Sequence, residues 1–304
     1  MKILFIGSHR LGDAIISTAL LAALLKRYPT AKFTIICSPN IEPLFEAFPN
    51  CERLIPLEKQ KHNRHWLELW KQTVLHRWSM VVDLRSSLVS LGLWSQKRFI
   101  VKGGRRAGLK IVQQAQALGF SSYEYPRVWL KKERYEVARA LLSQNDKWVA
   151  LAPTAGTAYK IWPPENFAHI GRLFLKRGYK IIIFYGAGTE EYNRAEPLLK
   201  ALPQAFDFGG GKVLSEVAAY LSYCSLFIGN DSGLMHLAAS LAVPSLGLFG
   251  PSKASQYAPS GPYAMALSAP GCEGEGDMKH ISVSDVIKAA ESLLSQSVKI
   301  NSSS

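Results

Sequence analysis

The segment Gly229-Asn230-Asp231-Ser232-Gly233-Leu234-Met235-His236 gathers a carboxylate, a hydroxyl, a glycine and an imidazole within little more than two turns of chain. An apolar run precedes it and a helix-like run follows, so Asp231 and Ser232 open a helix after a strand. Free N–H groups and the helix dipole at such a point favour an anion such as a diphosphate. Gly233 lets a ligand approach the backbone. His236 follows Ser232 by four residues and falls on the same helix face. The structural alternative is Asp231 or Ser232 as a cap and His236 as a polar core residue.

Three further loops carry similar chemistry. Pro153 to Pro163 holds Thr154, Thr157 and Lys160, two hydroxyls and a cation for a phosphate. Gly186-Ala187-Gly188-Thr189-Glu190 places a carboxylate where ribose hydroxyls can donate to it, although Glu in a first helical turn also compensates the dipole. Ser252 follows Phe249-Gly250-Pro251. Near the N-terminus, Gly7-Ser8-His9-Arg10-Leu11-Gly12-Asp13 sets Asp13 where a strand passes into a helix. Asp13 suits a helix N-cap; it is also the loop's one carboxylate.

These loops need a scaffold, and the hydrophobic pattern supplies one. Short apolar runs at 2–6, 33–37, 80–84, 148–152, 180–185, 226–228 and 245–249 read as buried parallel strands. Helix-like runs at 14–28, 40–48, 66–77, 165–177, 189–201, 214–222, 232–241 and 283–294 alternate with them. The alternation implies an α/β fold with parallel sheets, in two Rossmann-like halves. The halves are expected at 1–147 and 148–296, joined near 131–147, with a disordered polar tail over 297–304. Ligands bind such sheets at the carboxyl ends of the strands, where these loops fall. GxGxxG follows no strand, which argues against a dehydrogenase.

The charge divides at the same place. Residues 1–147 hold 24 Lys+Arg and 11 Asp+Glu, and residues 148–304 hold 12 and 12, so the first half carries the whole net charge of +13. A basic half suits an anionic partner, whether nucleic acid, a phosphate-bearing lipid or an acidic sugar; the alternative is a solvated surface. Arg10, Arg64, Arg85, Arg105 and Arg106 are its candidate phosphate contacts. A hydrophobic content of 48% excludes a disordered chain. Four scattered cysteines, Cys37, Cys51, Cys224 and Cys272, form neither a disulfide scaffold nor a CxxC metal site and suit a reduced compartment. No signal-peptide pattern opens the sequence, and Ala14–Leu25 is too short to span a bilayer. A soluble or peripheral cytoplasmic protein is expected. Trp66, Trp70, Trp78 and Trp94 lie within basic sequence, which suits either a core or an anionic membrane interface.

Arg-Leu-Gly-Asp at 10–13, Lys-x-Trp-Pro at 160–163, Gly-Asn-Asp-Ser-Gly-x-x-His at 229–236 and Phe-Gly-Pro-Ser at 249–252 together resemble glycosyltransferase family 9, the bacterial lipopolysaccharide heptosyltransferases. The likeness extends to Arg106-x-Gly108 and to Met278-Lys279-His280-Ile281 and runs in order through most of the chain. It implies a GT-B fold, two Rossmann-like domains facing across a cleft, with the acceptor on the first and the nucleotide-sugar on the second. It implies inverting, metal-free transfer, with no cofactor. Carried over by position, Asp13 matches the general base, Lys160 a phosphate ligand and Glu190 a nucleoside ligand. Asp231, Ser232, Gly233 and His236 match the donor-binding turn; Ser232 stands where Thr is also common.

The resemblance makes ADP-heptose the expected donor and an anionic lipid A–core the expected acceptor, at the inner membrane surface, with no nucleic acid. Physical chemistry agrees: a leaving diphosphate gains charge that Lys160, hydroxyls and a helix N-terminus stabilise. The chain has no Asp-x-Asp clamp for a metal-bound diphosphate. Some relatives carry a cysteine-bound metal; dispersed cysteines argue against one here, and Asp277 stands where a Cys is frequent. Two alternatives remain open: transfer of another activated hexose or N-acetylhexosamine, and a non-catalytic module that binds nucleotide or nucleic acid.

Overall fold

A computed structural model describes residues 1–101, 107–142 and 146–301, with side chains to residue 296. The chain divides into two units, Met1–Lys131 and Lys132–Ser304. In the first, β1 (Lys2–Ile6), β2 (Lys32–Cys37), β3 (Cys51–Pro56), β4 (Trp78–Asp83) and β5 (Ser95–Ile100) form a parallel sheet in the order β3-β2-β1-β4-β5. In the second, β6 (Trp148–Ala152), β7 (Lys180–Ile183), β8 (Phe206–Asp207), β9 (Cys224–Asn230), β10 (Ser245–Phe249) and β11 (Ala264–Ser268) form another, in the order β11-β10-β9-β6-β7-β8. Each sheet starts in its middle and winds outward in both directions, the doubly wound Rossmann order. The strand order therefore reverses between β1 and β4, and again between β6 and β9.

Helix α1 (Leu11–Arg27) follows β1 and is buried almost all round. Its buried hydroxyls are tolerated because Ser17 Oγ donates to Ala14 O at 2.6 Å and Thr18 Oγ1 to Ile15 O at 2.7 Å. α2 (Arg64–Thr73) and α3 (Lys110–Ala117) complete the helices described in this unit. In the second unit α4 (Lys132–Leu141), α5 (Pro164–Lys176), α6 (Thr189–Ala201), α7 (Leu214–Leu221), α8 (Gly233–Ser240), α9 (Ala254–Tyr257) and α10 (Val283–Asn301) flank the sheet. Its core joins Val149, Leu151, Ile181, Ile183, Leu226 and Ile228 to Trp162, Phe167 and Phe174. Burial at this density supplies the dominant favourable free energy of the unit.

Several expectations are revised. The helix expected over 40–48 is a single 3-10 turn, Glu42–Leu44, because Pro43 removes a donor from within it. Helix α1 begins at Leu11, not Ala14. The stretch 131–147 is not simply a connection: it contains α4, which packs on α7 with Ala138 buried, and Tyr223 Oη donates to Tyr135 O at 3.2 Å. The division between units thus falls before α4. Helix α10 does not stop at Leu294 but runs to Asn301, since neither Pro nor Gly interrupts 283–301. Residues 302–304 of the expected tail lie outside the described residues. Among the described residues no helix is long and apolar enough to cross a membrane.

Candidate functional site

The second unit gathers most of the expected residues where its strand order reverses. β6 and β9 are neighbours, and their carboxyl ends release the loops that carry Lys160 and Asp231. Lys160 Nζ lies 2.6 Å from Asp231 Oδ2. The carboxylate is almost enclosed and the ammonium retains access to solvent. Asp231 N donates to Leu248 O at 3.1 Å, tying the turn to β10.

Asn230 explains why these loops hold their places. It is fully buried at the end of β9. Its Oδ1 accepts from Trp162 N at 3.0 Å and its Nδ2 donates to Pro153 O at 2.8 Å, so one side chain spans the whole loop after β6. Trp162, also fully buried, donates from Nε1 to Ile281 O at 3.0 Å. The motifs at 160–163, 229–236 and 278–281, distant in sequence, are thereby one hydrogen-bonded assembly. Asp277 caps the 3-10 turn Met278–His280, with its carboxylate accepting from Lys279 N at 3.0 Å. Met278 packs beneath Gly250, where an added Cβ would meet its sulfur at 2.8 Å.

Ser232 is the N-cap residue of α8, yet its side chain makes no capping bond. Among the described residues, Ser232 Oγ, Ser252 Oγ and Thr157 Oγ1 are each shielded from solvent without a hydrogen-bond partner. They stand after β9, β10 and β6, three adjacent strands. Buried hydroxyls are ordinarily satisfied, so three orphans at the carboxyl end of one sheet, beside an uncapped helix N-terminus and a lysine, are candidate contacts for an oxyanion. Thr154 is buried in the same loop and His236 is buried in α8. Gly233 is the first residue of α8.

Glu190 lies in the first turn of α6, mostly exposed, and pairs with Arg194. Arg194 also reaches Glu191 at 3.3 Å and donates to Ala155 O at 2.7 Å, linking α6 to the loop after β6. Beside it a cavity of about 310 Å³ is lined by Tyr185, Gly188, Thr189, Tyr192 and Gly210. The tyrosine rings meet edge to face, 6.2 Å apart. Burial, then the Asp207 carboxylate, pushes the Tyr185 phenol up to about 12. It stays protonated and donates to Asp207 at 3.3 Å.

In the first unit the reversal between β1 and β4 is occupied by charged groups. Asp13 is not the cap of α1; Arg10 holds that position, and Asp13 lies in the first turn. Its Oδ1 accepts from Lys110 Nζ at 2.5 Å. Arg10 is exposed beside it. Buried Asp83, ending β4, shapes the next loop: Oδ1 accepts from Arg85 N, and Oδ2 from Ser87 N and Oγ, at 2.7–2.8 Å. The bend puts Ser86 at φ 51° and directs Arg85 over the Trp66 ring, 4.5 Å from its centroid. Arg64 is exposed at the start of α2. Arg105 and Arg106 lie outside the described residues.

Of the four tryptophans in the basic sequence, Trp78 is core, Trp66 serves Arg85, and Trp70 and Trp94 are exposed. Sequence reasoning gave Asn230, Arg194 and Lys110 no role, and read Trp66 as core or membrane interface rather than as a partner of Arg85. Arg194 follows Glu190 by four residues, a legible helical pair; the contacts of the other three are long-range. The cysteines are all unpaired thiols, and among the described residues no three His, Cys, Asp or Glu side chains cluster to hold a metal ion.

Two doubly wound parallel sheets, the second with the Lys160–Asp231 pair and the start of α8 at its switch point, have the layout of the GT-B fold. The chain belongs to glycosyltransferase family 9 (heptosyltransferase), whose family model matches residues 91–282. It is 26% identical to the lipopolysaccharide heptosyltransferase 2 of Salmonella typhimurium, over 83% of each chain. The family 9 glycosyl transferase of Veillonella parvula superposes with a TM-score of 0.84 at 24% identity, covering 97% of both chains. E. coli ADP-heptose lps heptosyltransferase II superposes at 0.79 with 22% identity, covering 98% of this chain and 99% of that one. These superpositions establish the fold.

Proposed function

We propose that the chain transfers heptose from ADP-heptose to the inner core of lipopolysaccharide, inverting the anomeric configuration and using no metal. The observation that carries this reading is the Lys160–Asp231 pair beside the uncapped start of α8 and the three shielded hydroxyls. The names of the relatives support the sugar and the acceptor: one is a lipopolysaccharide heptosyltransferase and another an ADP-heptose enzyme.

In this reading Asp13 accepts the proton of the attacking acceptor hydroxyl as its oxygen bonds to the anomeric carbon. The bond from that carbon to the diphosphate breaks on the opposite face, so a single displacement inverts the centre. ADP leaves with added negative charge. Lys160, the first N–H groups of α8 and the hydroxyls of Thr154, Thr157, Ser232 and Ser252 stabilise that charge. Asp231 holds the lysine in place, Gly233 admits the diphosphate to the backbone, and His236 backs the turn. Glu190 binds the ribose, and the base lies in the cavity between Tyr185 and Tyr192. Arg10, Arg85, Arg105 and Arg106 meet the phosphates and acidic sugars of the acceptor. We place the reaction in the cytoplasm at the inner face of the membrane that carries the acceptor.

ADP release from ADP-heptose is the direct test, with heptose-deficient lipopolysaccharide as acceptor. Turnover that depends on both substrates and survives a chelator supports the proposal. Turnover with a different nucleotide-sugar alone would reassign the donor. Tight nucleotide binding without ADP release from any nucleotide-sugar would make the chain a binding module. Activity lost in chelator and restored by magnesium or manganese would overturn the metal-free step.

A further inference from the structure

One face of the first sheet is covered by α2 and by the 3-10 turn Leu88–Gly92, which pack on a core of Leu69, Trp78, Val81, Val89 and Leu93. The outer side of this layer is unusual. Leu67, Trp70, Leu75, Leu88, Leu91 and Trp94 are all exposed, Leu75 by 90% and Leu88 by 83%. Single exposed leucines are common on soluble proteins; six large apolar side chains within one stretch of 28 residues are a patch.

Contacts tie the segments that carry these side chains together. Trp70 Nε1 donates to Gly92 O at 3.4 Å, joining α2 to the turn. Trp78 N donates to Trp94 O at 3.0 Å, and the Arg77 guanidinium lies over the Trp94 ring, 5.6 Å from its centroid. Arg98 donates to Leu93 O at 2.6 Å. Exposed cations stand among the apolar groups: Arg64, Lys71, Arg77 and Arg98. Residues 59–98 hold eight Lys+Arg against two acidic side chains. One of these, Asp83, is buried in its own loop and the other, Glu68, accepts from Gln60 at 3.0 Å.

We propose that this face docks the protein on an anionic lipid bilayer. Leucine and indole side chains would enter the boundary between headgroups and acyl chains, while Lys and Arg meet the lipid phosphates with their apolar stems lying along the surface. Both halves of the pattern are needed, since apolar burial and attraction to anionic lipid add. A second copy of the chain fits less well, because two faces of the same sign repel and lysine is depleted from protein interfaces. The choice of a lipid surface deepens the proposed membrane-borne acceptor and rests on it. The docking test uses neither donor nor acceptor, so its failure is distinct from failure of the transfer reaction.

The experiment is flotation of the full chain with vesicles of phosphatidylcholine alone or of equal parts phosphatidylcholine and phosphatidylglycerol. The protein floats with the anionic vesicles, its tryptophan emission shifts to shorter wavelength, and both effects weaken as salt rises from about 0.1 M to about 1 M. Leu75→Ser/Leu91→Ser and, separately, Lys71→Glu/Arg77→Glu each lower the partition coefficient by about tenfold or more. If the first variant does not fold, the second, on exposed side chains only, carries the test. Failure of the unaltered chain to float with anionic vesicles would overturn the proposal, as would folded variants that float equally well. A dimer in solution that Leu75→Ser/Leu91→Ser abolishes while flotation persists would assign the face to a second copy instead.

Discussion

Lys160 Nζ stands 2.6 Å from Asp231 Oδ2, and this pair joins the loop after β6 to the end of β9 where the second sheet reverses its winding. Asp231 is nearly enclosed, so it needs a cation. Lys160→Met leaves that carboxylate without one. The variant should lose about 1–3 kcal/mol of stability, less than for a fully buried pair because the lysine retains water contact. It should weaken ADP by about tenfold or more, because charge-assisted hydrogen bonds are the strong ones, and adenosine little. Calorimetry with both ligands checks the difference; equal weakening would remove Lys160 from the phosphate site.

Asn230 is the mechanical partner of that pair. Asn230→Ala strands the Trp162 N–H and the Pro153 carbonyl in the interior. Leaving two buried groups unsatisfied should cost about 2–4 kcal/mol. Denaturant unfolding measures it. A loss below about 1 kcal/mol would show that the loop after β6 is held by other contacts.

Asp13→Asn keeps the size of the side chain and removes its basicity. Turnover should fall by about 10²–10⁴-fold while ADP affinity and melting temperature change little. Lys110→Met retains the carboxylate but frees it from its 2.5 Å partner. It should lower turnover less than Asp13→Asn does. Near-normal turnover in folded Asp13→Asn would exclude Asp13 as the base.

The strands that the sequence alone leaves unread are β3, β5, β8 and β11, the four edges of the two sheets. Central strands such as β1 and β6 are buried on both faces and read as unbroken apolar runs. β5, Ser95-Gln-Lys-Arg-Phe-Ile, has solvent beside it and carries charge, as edge strands do. The same contrast governs the site. Asp231, Ser232 and Lys160 stand out because their motifs are local and follow legible strands. Lys110 meets Asp13 across 97 positions, and Asn230 meets Pro153 across 77. Such contacts follow from strand order, which apolar runs do not reveal. Arg85 was legible as a cation at a strand end; its stacking on Trp66 depends on the bend set by Asp83.

His65, in the first turn of α2, is buried, and its Nδ1 accepts from Gln60 N at 3.3 Å, which requires an unprotonated nitrogen. Burial, then the Arg85 and Lys59 charges, holds the imidazole below its ordinary value. The unfolded chain takes up a proton near pH 6.5 and the folded chain resists it, so this contribution is present above about pH 6.5 and lost as pH falls below it. Denaturant midpoints measured at about pH 7.5 and about pH 5.5 should therefore drop on acidification, and His65→Gln should reduce the drop. His9, also held low by partial burial and then by Arg85 and Arg10, accounts for part of what remains. An unchanged drop in His65→Gln would show that His65 is not the responsible group.

Gly210 tests the cavity beside Glu190. A Cβ built there would lie 2.3 Å from Gly186 O and 3.1 Å from the Tyr185 ring. The carbonyl belongs to the segment that leads through Gly188, at φ 96°, into α6, so it cannot retreat without moving the start of that helix. Gly210→Ala should therefore displace Tyr185 or the Gly186–Gly188 backbone and narrow a space of about 310 Å³. If the nucleoside lies between Tyr185 and Tyr192, adenosine and ADP should weaken by the same factor, about tenfold, since aromatic stacking is worth about 1–3 kcal/mol per base. The phosphates would be untouched, because Lys160 and the start of α8 follow other strands, β6 and β9. Equal weakening of the two ligands is the opposite pattern to that expected of Lys160→Met, so one pair of titrations separates the base site from the phosphate site. Full adenosine affinity in folded Gly210→Ala would place the nucleoside elsewhere.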